Sequence, residues 1–205
     1  MPRRSPLFFI GLVALAGAVS ACNRSPAPDE YTQAIVEARA AKDEMLRTAK
    51  DSPVPSDKRQ AALPLPYFPP DPAYRVPAEL KPDPQSGRQI QMLTSTGQQR
   101  ATRVMGMLEF AVKGRPLSLQ AFAEEGSNGQ RLFVPFIDAT AGRETYGAGR
   151  YLDLDRTSTG IYVIDFNIAY NPYCAYNPAY DCPVPPRQNR LPIEIRAGEK
   201  APRAH

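Results

Sequence analysis

The 205-residue chain has no tryptophan, three cysteines and one histidine, His205, which is its last residue. The shortage of histidine removes whole classes of chemistry. Serine–histidine and cysteine–histidine catalysis need an imidazole held within hydrogen-bond reach of the nucleophile, and a residue on a polar terminal tail is a poor base. A metal on the cysteines would want further nitrogen or sulfur ligands, so no metal site and no cofactor is expected. Charge of one sign is scarce as well. Without Arg3 and Arg4 the chain has 23 basic and 21 acidic side chains, and the basic ones are scattered rather than gathered into a stripe. That field is too weak for nucleic acid, which is excluded as a partner. The apolar run over 7–19 falls short of the roughly 20 residues that span a bilayer as a helix. Tyr146-Gly147-Ala148-Gly149-Arg150 lacks the spacing of a dinucleotide or P-loop motif.

What is present begins with the amino terminus. Two arginines, the apolar run and the small residues Ser20 and Ala21 before Cys22 have the three parts of a secretory signal peptide. Val19-Ser20-Ala21-Cys22 also resembles a lipobox, at which bacterial lipoproteins are acylated on the cysteine and cleaved before it. The expectation is a signal peptide over 1–21, a proline-broken tether over 22–28 and a single β-rich domain over 29–205. Acyl chains on Cys22 would moor it to a membrane without a spanning helix. Asn23 is not the aspartate that retains lipoproteins at an inner membrane, so the periplasmic face of an outer membrane is expected where two membranes exist. Cys174 and Cys182 then remain as a pair in an oxidising compartment, where a disulfide is expected; a reactive thiol is the alternative.

Asp29 can cap a helix in which Tyr31, Ile35, Ala38, Met45 and Ala49 recur at helical spacing, with Asp43 and Arg47 as an i,i+4 pair. Residues 53–84 hold ten prolines, which exclude helix or central strand over most of the segment apart from a turn of helix near 56–63. Its apolar residues, such as Leu65, Tyr67 and Phe68, predict an extended piece lying against the domain. From Arg88 the period becomes two. Ile90 and Met92 start one strand, and Val104, Gly106, Leu108, Phe110 and Val112 share a face of a longer one. Strands follow over 117–121, 132–137, 149–155, 161–166 and 191–195, with Asn128-Gly129 as a hairpin turn. The fold class predicted is mainly β: an antiparallel meander forming a small barrel or sandwich, with one N-terminal helix.

Seven of the ten tyrosines fall between Tyr146 and Tyr180, and polar residues able to act on a ligand are spaced among them. Asp138 and Glu144 flank a glycine turn, and Arg150 near Tyr146 and Tyr151 has the fork to grip a carboxylate or phosphate. Asp165 and Asn167 share one side of a strand, as do Asp153 and Asp155, whose face is expected to meet water. The run from Tyr170-Asn171-Pro172 through Tyr176-Asn177-Pro178 is an aromatic loop suited to something flat or sugar-like. Asp138, Glu144, Tyr146, Arg150, Asp165, Asn167, Tyr170, Asn171 and Tyr176 are therefore the ligand-binding candidates.

Leu132-Phe133-Val134-Pro135-Phe136, Asp138-Ala139-Thr140, Glu144-Thr145-Tyr146-Gly147 and Gly149-Arg150-Tyr151-Leu152 resemble the signature of domain of unknown function family 1684. So do Asp165-Phe166-Asn167, Ala169-Tyr170-Asn171-Pro172, Cys174-Ala175-Tyr176, Cys182-Pro183 and Asn189-Arg190-Leu191-Pro192. The resemblance implies no activity and no catalytic residue. Three expectations follow from the residues. The first is a ligand- or envelope-component-binding domain without turnover. The second is a carboxylate-dependent hydrolase acting on a cell-envelope substrate through acids between Asp138 and Asp165, and the third is a structural envelope lipoprotein.

Overall fold

Period-two alternation over 88–166 yields strands, and these strands carry the fold. The structure is a computed structural model that describes residues 28–123 and 130–203. The leader, Cys22, the tether up to residue 27, the Asn128-Gly129 turn and His205 lie outside the described residues. Seven strands run in chain order: β1 (Arg75–Lys81), β2 (Gln89–Leu93), β3 (Gln99–Val112), β4 (Arg115–Ala123), β5 (Arg131–Phe136), β6 (Arg150–Asp155) and β7 (Ile161–Asp165). All pair antiparallel in the order β6-β5-β4-β3-β1-β7, with β2 paired to the first part of β3. β6 and β7 end that order yet lie against each other, so the sheet is nearly closed into a barrel.

The inner face is the one that alternation predicts beyond Gly106: Leu108, Phe110 and Val112 of β3 are buried and pack with Leu119, Leu132, Val134, Phe136, Leu152, Ile164 and Phe166, each fully buried side chain contributing roughly 1.5–3 kcal/mol. Val104, expected on the same face, is instead buried with Met92 and Phe122 in a separate cluster across the register shift. Gly106 sits where the β3–β4 register shifts. A Cβ there would lie 2.5 Å from the Lys81 carbonyl oxygen, so only glycine lets β1 pass this closely.

Three expectations are corrected. The proline-rich segment was not expected to supply a central strand, yet β1 lies between β3 and β7. Its Pro77 pairs with Val163 of β7, while pairing with β3 begins only at Ala78, so the proline sits at the margin of the doubly paired stretch. The strand expected over 191–195 does not form. Leu191 and Ile195 are buried, but as an irregular segment joined to the sheet by one bridge between Ile137 and Arg190. The first helix, α1 (Pro28–Thr48), exists as expected and packs through Tyr31 and Ile35 as expected, but beyond them it presents another face. Tyr31, Ile35, Asp43 and Leu46 are buried, whereas Ala38 is exposed and Met45 is 49% exposed. Arg47 pairs with Glu44 rather than Asp43, because the Asp43 carboxylate turns inward to accept from the Leu65 N–H at 3.0 Å.

The chain leaving α1 makes one turn of helix, α2 (Arg59–Ala62), and then runs extended beneath α1. Leu46, Val54, Ala62, Leu63, Leu65 and Tyr176 form a second apolar cluster there. The extended segment lies against the domain, as its spaced apolar residues require.

Candidate functional site

Most of the polar residues singled out by sequence are buried in three hydrogen-bonded nodes. In the first, Asp138 accepts from Thr140 Oγ1 at 2.7 Å, the Ile195 N–H at 2.8 Å and Arg150 Nη2 at 3.1 Å. Arg150 is 1% exposed and spends its fork on the C-terminal segment. It donates to Ile195 O at 2.8 Å, Glu199 O at 3.1 Å and Ala197 O. Burial lowers its pKa, opposed by the Asp138 charge beside it. The guanidinium therefore ties the C-terminal strap to β6 instead of facing a ligand.

The second node is centred on Glu199, which is 1% exposed. Its carboxylate accepts from Lys42 Nζ at 2.6 Å, the Asn171 N–H at 2.8 Å and the Tyr176 hydroxyl at 2.5 Å. Burial, then the Glu199 charge, raises the Tyr176 pKa well above that of a free phenol. The third node joins α1 to the end of β7. Tyr31 donates to both oxygens of Asp165 at 2.9 and 2.8 Å, and Asn167 Nδ2 donates to the Tyr31 hydroxyl at 2.9 Å. Arg39 donates to the carbonyls of Phe68 and Asn167. Glu144 stands apart, in an ion pair with Arg196 at 3.0 Å.

Tyr170 belongs to a different feature, an open groove of about 1120 Å³. Its floor is the outer face of β5 and β6, where Phe133, Tyr151 and Asp153 share one side of the sheet. Tyr170 is bridged to Tyr151 through the backbone and donates to Asp153 Oδ2 at 2.6 Å. Burial first, and Asp153 second, raises its pKa. The face expected to meet water is covered at Tyr151, which is only 6% exposed, while Asp155 further along it is exposed. The rings meet edge to face, with centroids 4.8 Å apart for Phe133 and Tyr151 and 5.8 Å for Tyr151 and Tyr170. Tyr173 and Tyr180, 5.3 Å apart, make the rim, and Tyr173 is 48% exposed. Arg100, Thr102 and Arg103 of β3 form the facing wall. The two walls are held in place where Thr94 bridges Pro183 and the Ser95 N–H donates to Cys182 O.

The model of the family "Protein of unknown function (DUF1684)" matches residues 63–200. The chain belongs to that family. The resemblance read from the motifs between Leu132 and Pro192 is therefore shown. A solution NMR structure of an uncharacterized protein from Haloarcula marismortui is similar to this chain at 33% identity with a TM-score of 0.65, covering 84% of this chain and 95% of that one. No curated protein matches.

In this DUF1684 chain the disulfide expected between Cys174 and Cys182 is not formed. Both are free thiols, engaged instead in hydrogen bonds: Cys182 Sγ accepts from the Cys174 N–H at 3.0 Å, and the Cys174 sulfur meets the Tyr146 hydroxyl. Cys174, Tyr146 and Tyr176 line a second, smaller cavity of about 510 Å³. Burial and the neighbouring Cys174 push the Tyr146 pKa up to about 12.

Sequence reasoning missed Glu199, Tyr31 and the arginine wall of the groove. Glu199 follows the last predicted strand and belongs to no periodic pattern, though the DUF1684 match extends through residue 200 and takes it in. Helical spacing assigns Tyr31 to apolar packing alone. Arg100 and Arg103 reach the groove only through the β2–β3 hairpin.

Proposed function

We propose that this DUF1684 chain is an exported, lipid-anchored binding protein that holds a flat or sugar-like ligand in the tyrosine groove without turning it over. One observation carries the reading: the aromatic side chains of Phe133, Tyr151, Tyr170, Tyr173 and Tyr180 converge on one open groove faced by arginines. Rings with polar tips give a sugar both a stacking face and hydrogen bonds. The groove is edged with fixed rings, so little side-chain entropy is lost when a ligand settles. Of the acids between Asp138 and Asp165, Asp138, Glu144 and Asp165 lie outside its lining and are already committed to protein partners, while Asp153 lines it as the acceptor of the Tyr170 hydroxyl. An envelope component is the ligand class that fits a protein moored through acyl chains on Cys22, on the periplasmic face of an outer membrane where two membranes exist.

The test is calorimetric titration of the chain with neutral and anionic oligosaccharides and with soluble muropeptides, repeated on the Tyr173→Ala, Tyr180→Ala double variant. Binding that weakens about tenfold or more in the variant, with the ligand recovered intact, supports the reading. Cleavage of the ligand would favour the hydrolase, and no binding to any of these probes would favour a structural envelope protein. Labelling with a palmitate analogue that is lost in Cys22→Ser tests the anchor separately.

A further inference from the structure

Cys174 and Cys182 occupy the seam between the two concavities. Cys182 lines the tyrosine groove and Cys174 the second cavity, and the two sulfurs are hydrogen-bonded to each other. Their surroundings differ. Cys182 is 7% exposed, and its N–H donates to Ser95 Oγ at 3.0 Å, which pins that backbone to the turn after β2. Cys174 is half-buried on a cavity edged by Lys58, Arg143 and Arg203. Its sulfur also has Tyr146 and Ser95 as hydrogen-bond partners. One sulfur open to a cationic cavity, with a second directly behind it, is the arrangement that attack followed by resolution requires.

We propose that Cys174 and Cys182 form a thiol–disulfide exchange site, with Cys174 as the attacking sulfur, Cys182 as the resolving sulfur and a disulfide, R–S–S–R, as the oxidant. The Cys174 thiolate attacks one sulfur of the disulfide. A Cys174–S–S–R bond forms, the R–S–S–R bond breaks, and R–S⁻ leaves and takes up the proton that Cys174 had released to solvent. Cys182 then gives its proton to solvent and attacks the Cys174 sulfur. The bond to R breaks, the second R–S⁻ leaves and is protonated, and a Cys174–Cys182 disulfide remains. Two electrons pass from the protein dithiol to R–S–S–R, which becomes two R–SH.

The assignment of roles follows from the surroundings. A hydrogen bond from Cys182 lowers the Cys174 pKa to about 7 against the opposing effect of burial, with Tyr146 and Ser95 adding to the lowering. The same bond and burial raise the Cys182 pKa. Lys58, Arg143 and Arg203 edge the cavity and Asp181 lies beside Cys182, while burial raises the pKa of the Tyr146 and Tyr151 phenols further above the neutral range. The site does not depend on the ligand proposed for the groove. Tyr173 and Asp181 adjoin the two cysteines in the chain and line that groove, so oxidation also fixes its rim.

The experiment uses the full chain with Cys22→Ser, reduced, mixed with oxidised glutathione, quenched in acid and mapped by peptide mass spectrometry. The expected product is a Cys174–Cys182 disulfide with the loss of two hydrogens. Cys182→Ser, or Cys182→Ala as a second variant, accumulates glutathione on Cys174, whereas Cys174→Ser is labelled on Cys182 at least about tenfold more slowly. Alkylation of Cys174 in the parent is half-maximal near pH 7, below the range of an ordinary cysteine. Glutathione found equally on both sulfurs, or first on Cys182, overturns the proposal. So does a Cys174 rate no faster than that of the same chain unfolded in urea.

Discussion

Arg150→Met tests whether the buried guanidinium anchors the C-terminal strap or grips a ligand. Methionine keeps most of the volume, so the cavity contribution is small. What is lost is the donor set: Asp138 Oδ1 at 3.1 Å, Ile195 O at 2.8 Å, Glu199 O at 3.1 Å and Ala197 O all lose their guanidinium partner. Removing one member of a buried ion pair costs about 3–5 kcal/mol, because the other charge stays buried. For a chain of this size each kcal/mol moves the Tm by about 2–4 °C, so a fall of about 6–20 °C is expected. Calorimetry and urea titration measure it, and hydrogen exchange should show amide protection lost first over 195–199. Adding Asp138→Leu removes the stranded carboxylate, so the double variant should be less destabilised than the sum of the singles by about 1–3 kcal/mol. A Tm within about 2 °C of the parent, together with loss of ligand from the groove, would refute the anchoring role and restore Arg150 as an anion clamp.

Glu199→Gln leaves one acceptor oxygen for three donors, Lys42, the Asn171 N–H and Tyr176; a loss of about 2–4 kcal/mol in urea titration is expected. Tyr31→Phe removes the hydroxyl shared by Asp165 and Asn167, which should cost about 1.5–3 kcal/mol and raise hydrogen exchange across α1. Burial, opposed by the Leu65 N–H, raises the Asp43 pKa above its ordinary 3.8. The stability of this group is fully present below that value and lost as pH rises through the folded pKa. Asp43→Asn should therefore stabilise the chain at neutral pH, with the gain vanishing in acid; a gain independent of pH in urea titrations would contradict the burial argument. Gly198→Ala places a Cβ 2.6 Å from the carbonyl oxygens of Phe166 and Ala169 at φ +77°, so a loss above about 2 kcal/mol by thermal unfolding is expected.

The barrel was legible because half-buried strands advertise themselves with period two, and β3 shows it over its whole second half. Pro77 hid β1, since one proline among ten looks like punctuation until register is known. The helix was legible in extent but not in orientation. Its inward side carries Arg39, Lys42 and Asp43 beside Tyr31, Ile35 and Leu46, so hydrophobic spacing chose Met45 and Ala38 for a face that is decided by polar bonds. Residues 191–195 alternate like a strand but form none, and the burial of the segment over 191–199 comes from Arg150, Asp138 and Glu199 rather than from a ladder.

For the site, residue type was legible and destination was not. The tyrosine run announced an aromatic loop, yet Tyr176 turns into the cluster with Leu46 and Leu65 while Tyr173 and Tyr180 face outward. Local sequence cannot divide them, because the division depends on Glu199, which lies 23 residues beyond Tyr176 and draws its hydroxyl inward. The same carboxylate takes the Asn171 N–H, next in the chain to Tyr170. Glu199 thus sets where the loop begins and how far in it is held, and its Lys42 partner ties that position to α1. Paired by Lys42 and bonded to two further donors, a carboxylate this deep is held in place by its neighbours as much as it holds them. The groove is therefore shaped by a residue that never touches it.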